Sequence, residues 1–119
     1  MFYAQNPLAH QTESVLLPFP GYAVYDAVLA AVNQEKGYKL QTENRMMGRI
    51  TFYTKASLFS WGEILTVQLE DRSPQCLLTI SAQPKTAIGS QAMGAQATIG
   101  RKVKKDIDDF LSCLSRYLR

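Results

Sequence analysis

Residues 61–82 read WGEILTVQLEDRSPQCLLTISA, and this stretch decides the fold. Leu65, Val67 and Leu69 fall on one side of an extended chain, with Ile64, Thr66, Gln68 and Glu70 on the other. A period of two is the mark of a strand with one covered face. Asp71, Arg72, Ser73 and Pro74 supply a polar turn. Gln75 to Ala82 then repeats the pattern, with Cys76, Leu78, Ile80 and Ala82 together. Two strands joined by so short a turn pair antiparallel.

Upstream, residues 48–55 (GRITFYTK) set Ile50 and Phe52 against Arg49, Thr51 and Tyr53. Residues 38–44 (YKLQTEN) set Tyr38, Leu40 and Thr42 against Lys39, Gln41 and Glu43. With a turn over Asn44 to Gly48 they read as a hairpin. Residues 13–19 (ESVLLPF) form a further short run, punctuated by Pro18 and Pro20. Proline cannot donate to a ladder, so this is an edge strand or a strand that ends there.

Two helices complete the chain. From Gly21 to Lys36, Val24, Val28, Ala31 and Val32 recur at helical spacing, with Tyr25 and Leu29 beside them. Gly37 stands where a left-handed cap would end that helix. Over residues 101–118 an apolar stripe runs through Ile99, Val103, Ile107, Phe110, Leu111, Leu114 and Leu118. An amphipathic helix needs an apolar surface to cover, and a half-buried sheet supplies one. The expected fold is therefore α+β, in the order β-α-β-β-β-β-α. It is a single antiparallel sheet of four to five strands with two helices on one face. Residues 1–12 read as a loosely ordered lead-in and 13–119 as one domain. Of residues 84–100, rich in Gly and Ala, part reads as an extension of the last strand and the rest as a long connection.

The chain has 119 residues, 46% of them apolar, enough for one core without staples. Residues 1–98 carry seven basic and seven acidic side chains, and 99–119 carry six and three. The whole excess of +3 thus sits at the end, too small by itself to imply nucleic acid. Cys76 and Cys113 share no metal-ligand or redox spacing and read as free buried thiols. No apolar run approaches the ~20 residues of a membrane span. The first residues lack a basic start and a long apolar stretch, so no signal peptide is expected and the cytoplasm is the expected compartment.

The densest local motif is Ser57, Leu58, Ser60, Trp61, Gly62 and Glu63, preceded by Gly48 and Ile50 and followed by Gly100 and Lys102. In these residues the chain resembles a group of small bacterial domains of uncharacterised function, over about residues 13–118. The Ile99-Gly100-Arg101-Lys102 end is the looser part, since the pattern has an aromatic before its Gly-Lys. The resemblance implies a shared fold and a bacterial source, and carries no activity with it.

Trp61 and Glu63 admit two readings. In one, Trp61 anchors a core edge, Gly62 allows a bulge, and Glu63 satisfies backbone or a basic partner. In the other, Trp61 and Glu63 stand at the rim of a cleft between sheet and helices. Arg101, Lys102, Lys104 and Lys105 oppose the macrodipole if the last helix starts there, at ~0.3–1 kcal/mol each. Pairs Lys102–Asp106, Lys104–Asp108 and Lys105–Asp109 offset that on a solvated face. The functional alternative is an anion site from Gly100, Arg101, Lys102, Lys104 and Lys105, fed by the loop over Gly89 to Gly94.

Catalysis finds little support. His10 is the single histidine and lies in the lead-in, so no Ser-His-Asp or Cys-His arrangement is expected. Asp106, Asp108 and Asp109 cannot all point one way on a helix, and no metal site or cofactor is expected. The glycines make no phosphate-binding loop, and no aromatic-basic run marks a nucleic-acid binder. The leading expectation is a non-catalytic interaction or structural module that binds a protein partner or itself. The alternatives are anion or nucleic-acid binding through the basic segment, and a small-ligand cleft.

Overall fold

A computed structural model describes residues 11–54, 62–84 and 96–118, with side chains over 11–54, 62–83 and 104–118. Seven elements follow in the expected order: β1 (Gln11–Leu17), α1 (Gly21–Gln34), β2 (Tyr38–Asn44), β3 (Arg49–Thr54), β4 (Glu63–Arg72), β5 (Gln75–Pro84) and α2 (Gln96–Ser115). The strands form one antiparallel sheet ordered β1-β5-β4-β3-β2. β1 is an edge strand and stops before Pro18, as its missing donor requires.

Register turns alternation into apolar rows. Val67 sits between Ile50 and Ile80, and Leu65 between Phe52 and Ala82. All six are buried, together with Leu78, Val24, Val28, Val32, Ile107 and Phe110. Burying each large side chain contributes roughly 1.5–3 kcal/mol, so this single covered face is the main source of stability. The opposite face carries hydroxyls: Thr12 meets Ser81 and Ser14 meets Thr79 at 3.3 and 3.0 Å. α1 lies over β2 to β5 and α2 over β5 and β1, on the same face.

Three expectations need correction. The first helix ends at Gln34, not Lys36, and Gly37 is no left-handed cap. Glu35 leaves the helix in an extended conformation, and its carboxylate meets Tyr117 and Arg116 beyond the end of α2. Secondly, β2 shifts register between Leu40 and Thr42. Past that bulge the facing reverses, so Glu43, paired with Ile50, joins the helix side and accepts the Tyr25 hydroxyl at 2.6 Å. Thirdly, α2 begins at Gln96, inside the stretch read as connection. Gln96 and Ala97 are good helix formers, and the glycine at 100 does not stop the helix.

Two glycines occupy conformations that favour glycine. Gly48 closes the β2–β3 turn at φ 66° and Gly62 enters β4 at φ 90°. Cys76 and Cys113 are buried free thiols, and burial pushes both thiol pKa values up. Among the described residues no helix is long and apolar enough to cross a membrane.

Candidate functional site

Because α2 lies over the β1–β5 side, side chains span the space between it and the β2–β3 end of the sheet. The inner part is filled. The Tyr38 ring meets Phe52 and Phe110 edge-on, with centroids 5.3 and 5.4 Å away, and Phe52 and Phe110 lie 4.8 Å apart. Outside this triad a groove of about 510 Å³ opens. Glu35, Gly37, Tyr38 and Thr54 form one side, and Asp106, Asp109, Ser112, Cys113 and Arg116 of α2 and its end the other.

One wall is built around a buried carboxylate. Glu63 is 3% exposed. The Thr54 hydroxyl donates to Glu63 Oε1 at 3.0 Å and accepts the Glu63 backbone N–H at 2.7 Å. Gly62 lets β4 start directly beside the end of β3, which brings these two residues together. As for the cleft reading, Glu63 is not among the groove's lining residues; it lies behind Thr54, to which it is bonded. Trp61, its companion in that reading, lies outside the described residues.

The opposite corner is a knot on Glu35. Its carboxylate accepts the Tyr117 hydroxyl at 2.8 Å and pairs with Arg116 at 3.4 Å. The Tyr117 bond, opposed by desolvation and aided by Arg116 and the Cys113 thiol, holds the Glu35 carboxyl below its ordinary pKa. Tyr38 is pushed the other way. Burial, then Cys113, Asp109, Asp106 and Glu35, raise its hydroxyl pKa and keep it neutral. The negative potential of the groove is felt at its own aromatic wall.

The basic segment is placed differently from expectation. With α2 starting at Gln96, Gly100 is the fifth residue of the helix, and its N–H faces the carbonyl of Gln96. The helix N-terminus and the basic residues therefore do not coincide, which removes the backbone half of the anion site. Lys104 reaches Glu13 at 3.0 Å and Asp108 at 3.3 Å, and Lys105 reaches Asp109 at 2.8 Å. Both lysine pKa values are raised, first by Glu13 and Asp109 respectively. The expected pairs to Asp108 and Asp109 thus form. Arg101 and Lys102 lie in α2 with side chains outside the described set, and His10 and residues 89–94 lie wholly outside the described residues. Among the described residues no three of His, Cys, Asp and Glu converge to hold a metal.

Most of the groove was missed in the sequence, although one signal was there. Asp106, Asp109, Cys113 and Arg116 follow helical spacing and form a polar stripe beside the apolar one. A polar stripe flanking a buried stripe marks the border of a helix contact, where a groove can open.

A second hollow, of about 330 Å³, lies among Tyr22, Tyr25, Arg45, Met46, Met47 and Leu69. Its polar groups are engaged: Arg45 covers the Tyr25 ring at 4.3 Å and pairs with Asp26 at 2.7 Å. Desolvation, then Glu43, pushes the Tyr25 pKa up to about 12.

The sequence matches no family model and no curated protein. The fold does match solved structures. The di-domain ARO/CYC BexL from the BE-7585A biosynthetic pathway is 17% identical, with a TM-score of 0.68 over 91% of this chain. This chain spans 45% of that longer one. Ara h 8.0201 is 11% identical, with a TM-score of 0.65 over 92% of this chain and 96% of that one. The Zhui aromatase/cyclase from Streptomyces is 10% identical, with a TM-score of 0.54 over 91% and 92% of the two chains. Identities this low show a common fold.

That common fold overturns the expectation of a non-catalytic interaction or structural module. Two of these likenesses carry aromatase/cyclase names, so the architecture is one on which enzymes for small molecules are built.

Proposed function

We propose that this chain binds a small organic molecule in the groove between α2 and the β2–β3 end of the sheet. The observation that carries this reading is the groove: about 510 Å³, within the ~300–1,000 Å³ range of ligand sites. A buried Glu63–Thr54 unit braces one wall, and an aromatic floor closes it below. The fold shared with two aromatase/cyclases supports the same class of ligand. The Gly48 to Glu63 sequence pattern fits as well, because its last member is the carboxylate behind that wall. Amide NMR of the labelled chain against a fragment library tests the proposal. Hits are expected to move the amides of Gly37, Tyr38, Thr54 and Ser112. Ser112→Trp, at an exposed position on the groove edge, is expected to abolish those shifts in a folded chain. Hits that bind Ser112→Trp unchanged would remove the groove from the account.

A second reading, turnover of the bound molecule, has one observation in its favour. Glu35 and Tyr38 line the same side of the groove, an ionised carboxylate beside a neutral phenol. Mass analysis of ligands recovered after incubation decides it. Product formation that disappears in Tyr38→Phe is expected, and ligand returned intact in every case overturns it.

A further inference from the structure

We propose that the last turn of α2, with the residues that follow it to Leu118, is a latched wall of the groove: fastened on Glu35, it swings away from the end of α1 as a unit and opens the groove. The use of such an opening rests on the small-molecule reading; the opening itself does not.

The polar fastening sits at one point. Glu35 leaves α1 in an extended conformation, and its carboxylate receives three groups from the end of α2. These are the Tyr117 hydroxyl at 2.8 Å, the Arg116 guanidinium at 3.4 Å and the Cys113 thiol. Among the described residues, every polar side-chain tie from Cys113–Leu118 to another element ends on this carboxylate. The backbone N–H groups of Arg116 and Tyr117 bond back to Cys113 and Leu114 at 3.0 and 2.9 Å. The turn therefore carries its own backbone partners with it when it moves.

Packing thins in the same direction. Ile107 and Phe110 are fully buried, and Phe110 is locked between Phe52 and Tyr38. Beyond Phe110, Leu114 is the one large apolar side chain still buried, while Leu111, Tyr117 and Leu118 are half-buried at the edge of the core. A helix end with one deep apolar anchor and one polar fastening belongs to the parts of a fold that open first, so the hinge falls between Phe110 and Cys113. Opening there reshapes the groove, because Glu35, Cys113 and Arg116 line it. The Glu35–Arg116 pair bridges from the end of α1 to the end of α2, and its release widens the entrance at that corner, as the lifting of a lid does.

The two cysteines read this opening without any ligand. Cys113 lies under the latch at 6% exposed, and Cys76 lies in β5 at 0%. Alkylation needs an accessible thiolate, so Cys76 reports unfolding of the sheet, and Cys113 reports that unfolding plus any local opening. The folded full chain is treated with N-ethylmaleimide and both sites are followed by peptide mass. Cys113 is expected to react about tenfold faster than Cys76. Tyr117→Phe is expected to speed Cys113 several-fold and Cys76 far less. Hydrogen exchange is the second measurement: the amides of Leu114, Arg116 and Tyr117 are expected to exchange faster in that variant, and the amide of Ile107 to keep its rate. Equal rates at the two cysteines in the parent chain, or a Tyr117→Phe variant that speeds both by the same factor, would show that α2 opens only with the whole fold, and the latch is then wrong. Fast labelling of Cys113 that ignores Tyr117→Phe overturns it as well. The fragment test of the groove does not depend on these rates, so the two readings fail separately.

Discussion

Thr54 and Glu63 hold each other across the β3–β4 junction: the hydroxyl donates to the carboxylate at 3.0 Å and accepts the backbone N–H at 2.7 Å. Both residues are buried, so neither bond can be handed to water without rearrangement. Thr54→Val keeps the shape and removes both bonds. The expected loss is about 1–3 kcal/mol in denaturant unfolding, the cost of stripping partners from buried polar groups. Thr54→Ser keeps the hydroxyl and is expected to recover most of it. A larger loss in Thr54→Ser than in Thr54→Val would show that packing of the methyl, and not the bonds, is what matters.

Phe110 ties α2 to the sheet through Phe52 and Tyr38. It is fully buried. Phe110→Ala is expected to cost about 3–5 kcal/mol by equilibrium unfolding. It also removes the floor that separates the groove from the core, so an apolar dye excluded by the parent chain is expected to enter the variant. A small loss with no dye binding would mean that α2 settles onto the sheet and closes the space.

The fold was legible in the sequence because alternation in Leu65–Leu69 and Cys76–Ala82 leaves a strand no second way to bury its apolar side. The stripe through Ile107, Phe110 and Leu114 is as unambiguous for α2. The groove was not legible, because its two walls meet only through tertiary structure. Glu35 and Tyr117 stand 82 residues apart, and no local pattern announces their contact. Gly100 misled about the start of α2, since a glycine there resembles a boundary while the helix around it tolerates the cost. The bulge after Leu40 hid Glu43 in the same manner. A period-two reading cannot see one extra residue that reverses the facing.

Gly48 is required by two independent facts. Its φ of 66° is a left-handed conformation, and a Cβ placed there would lie 2.9 Å from the Leu69 carbonyl oxygen. Its own carbonyl accepts the Leu69 N–H at 2.8 Å, so the turn cannot move away without losing a ladder bond. Gly48→Ala is expected to destabilise by more than about 1 kcal/mol, with amide shifts centred on Leu69 and Gln68. Gly37→Ala is the control, because a Cβ there meets nothing within 4 Å. Equal effects at the two positions would show that chain entropy, and not the close approach, sets the cost.

The Glu35 knot gives the chain a defined response to acid. Tyr117 first, with Arg116 and Cys113 assisting against desolvation, holds the folded carboxyl below the ordinary value of 4.5. A carboxyl depressed in the folded state contributes its stability in full above the unfolded value and loses it as pH falls through the folded one. The tie between α1 and the end of α2 is therefore intact at neutral pH and weakens only below about 4.5. Tyr117→Phe removes the largest cause, so the folded value moves up toward the unfolded one and the acid-sensitive contribution shrinks. Carboxyl carbon NMR of Glu35 against pH reads this directly: a midpoint below 4.5 in the parent and a higher one in Tyr117→Phe. Arg116→Gln is expected to shift it less and in the same direction. Identical midpoints in the parent and Tyr117→Phe would mean that the phenol does not donate to Glu35 in solution, and the corner of the groove would have to be redrawn.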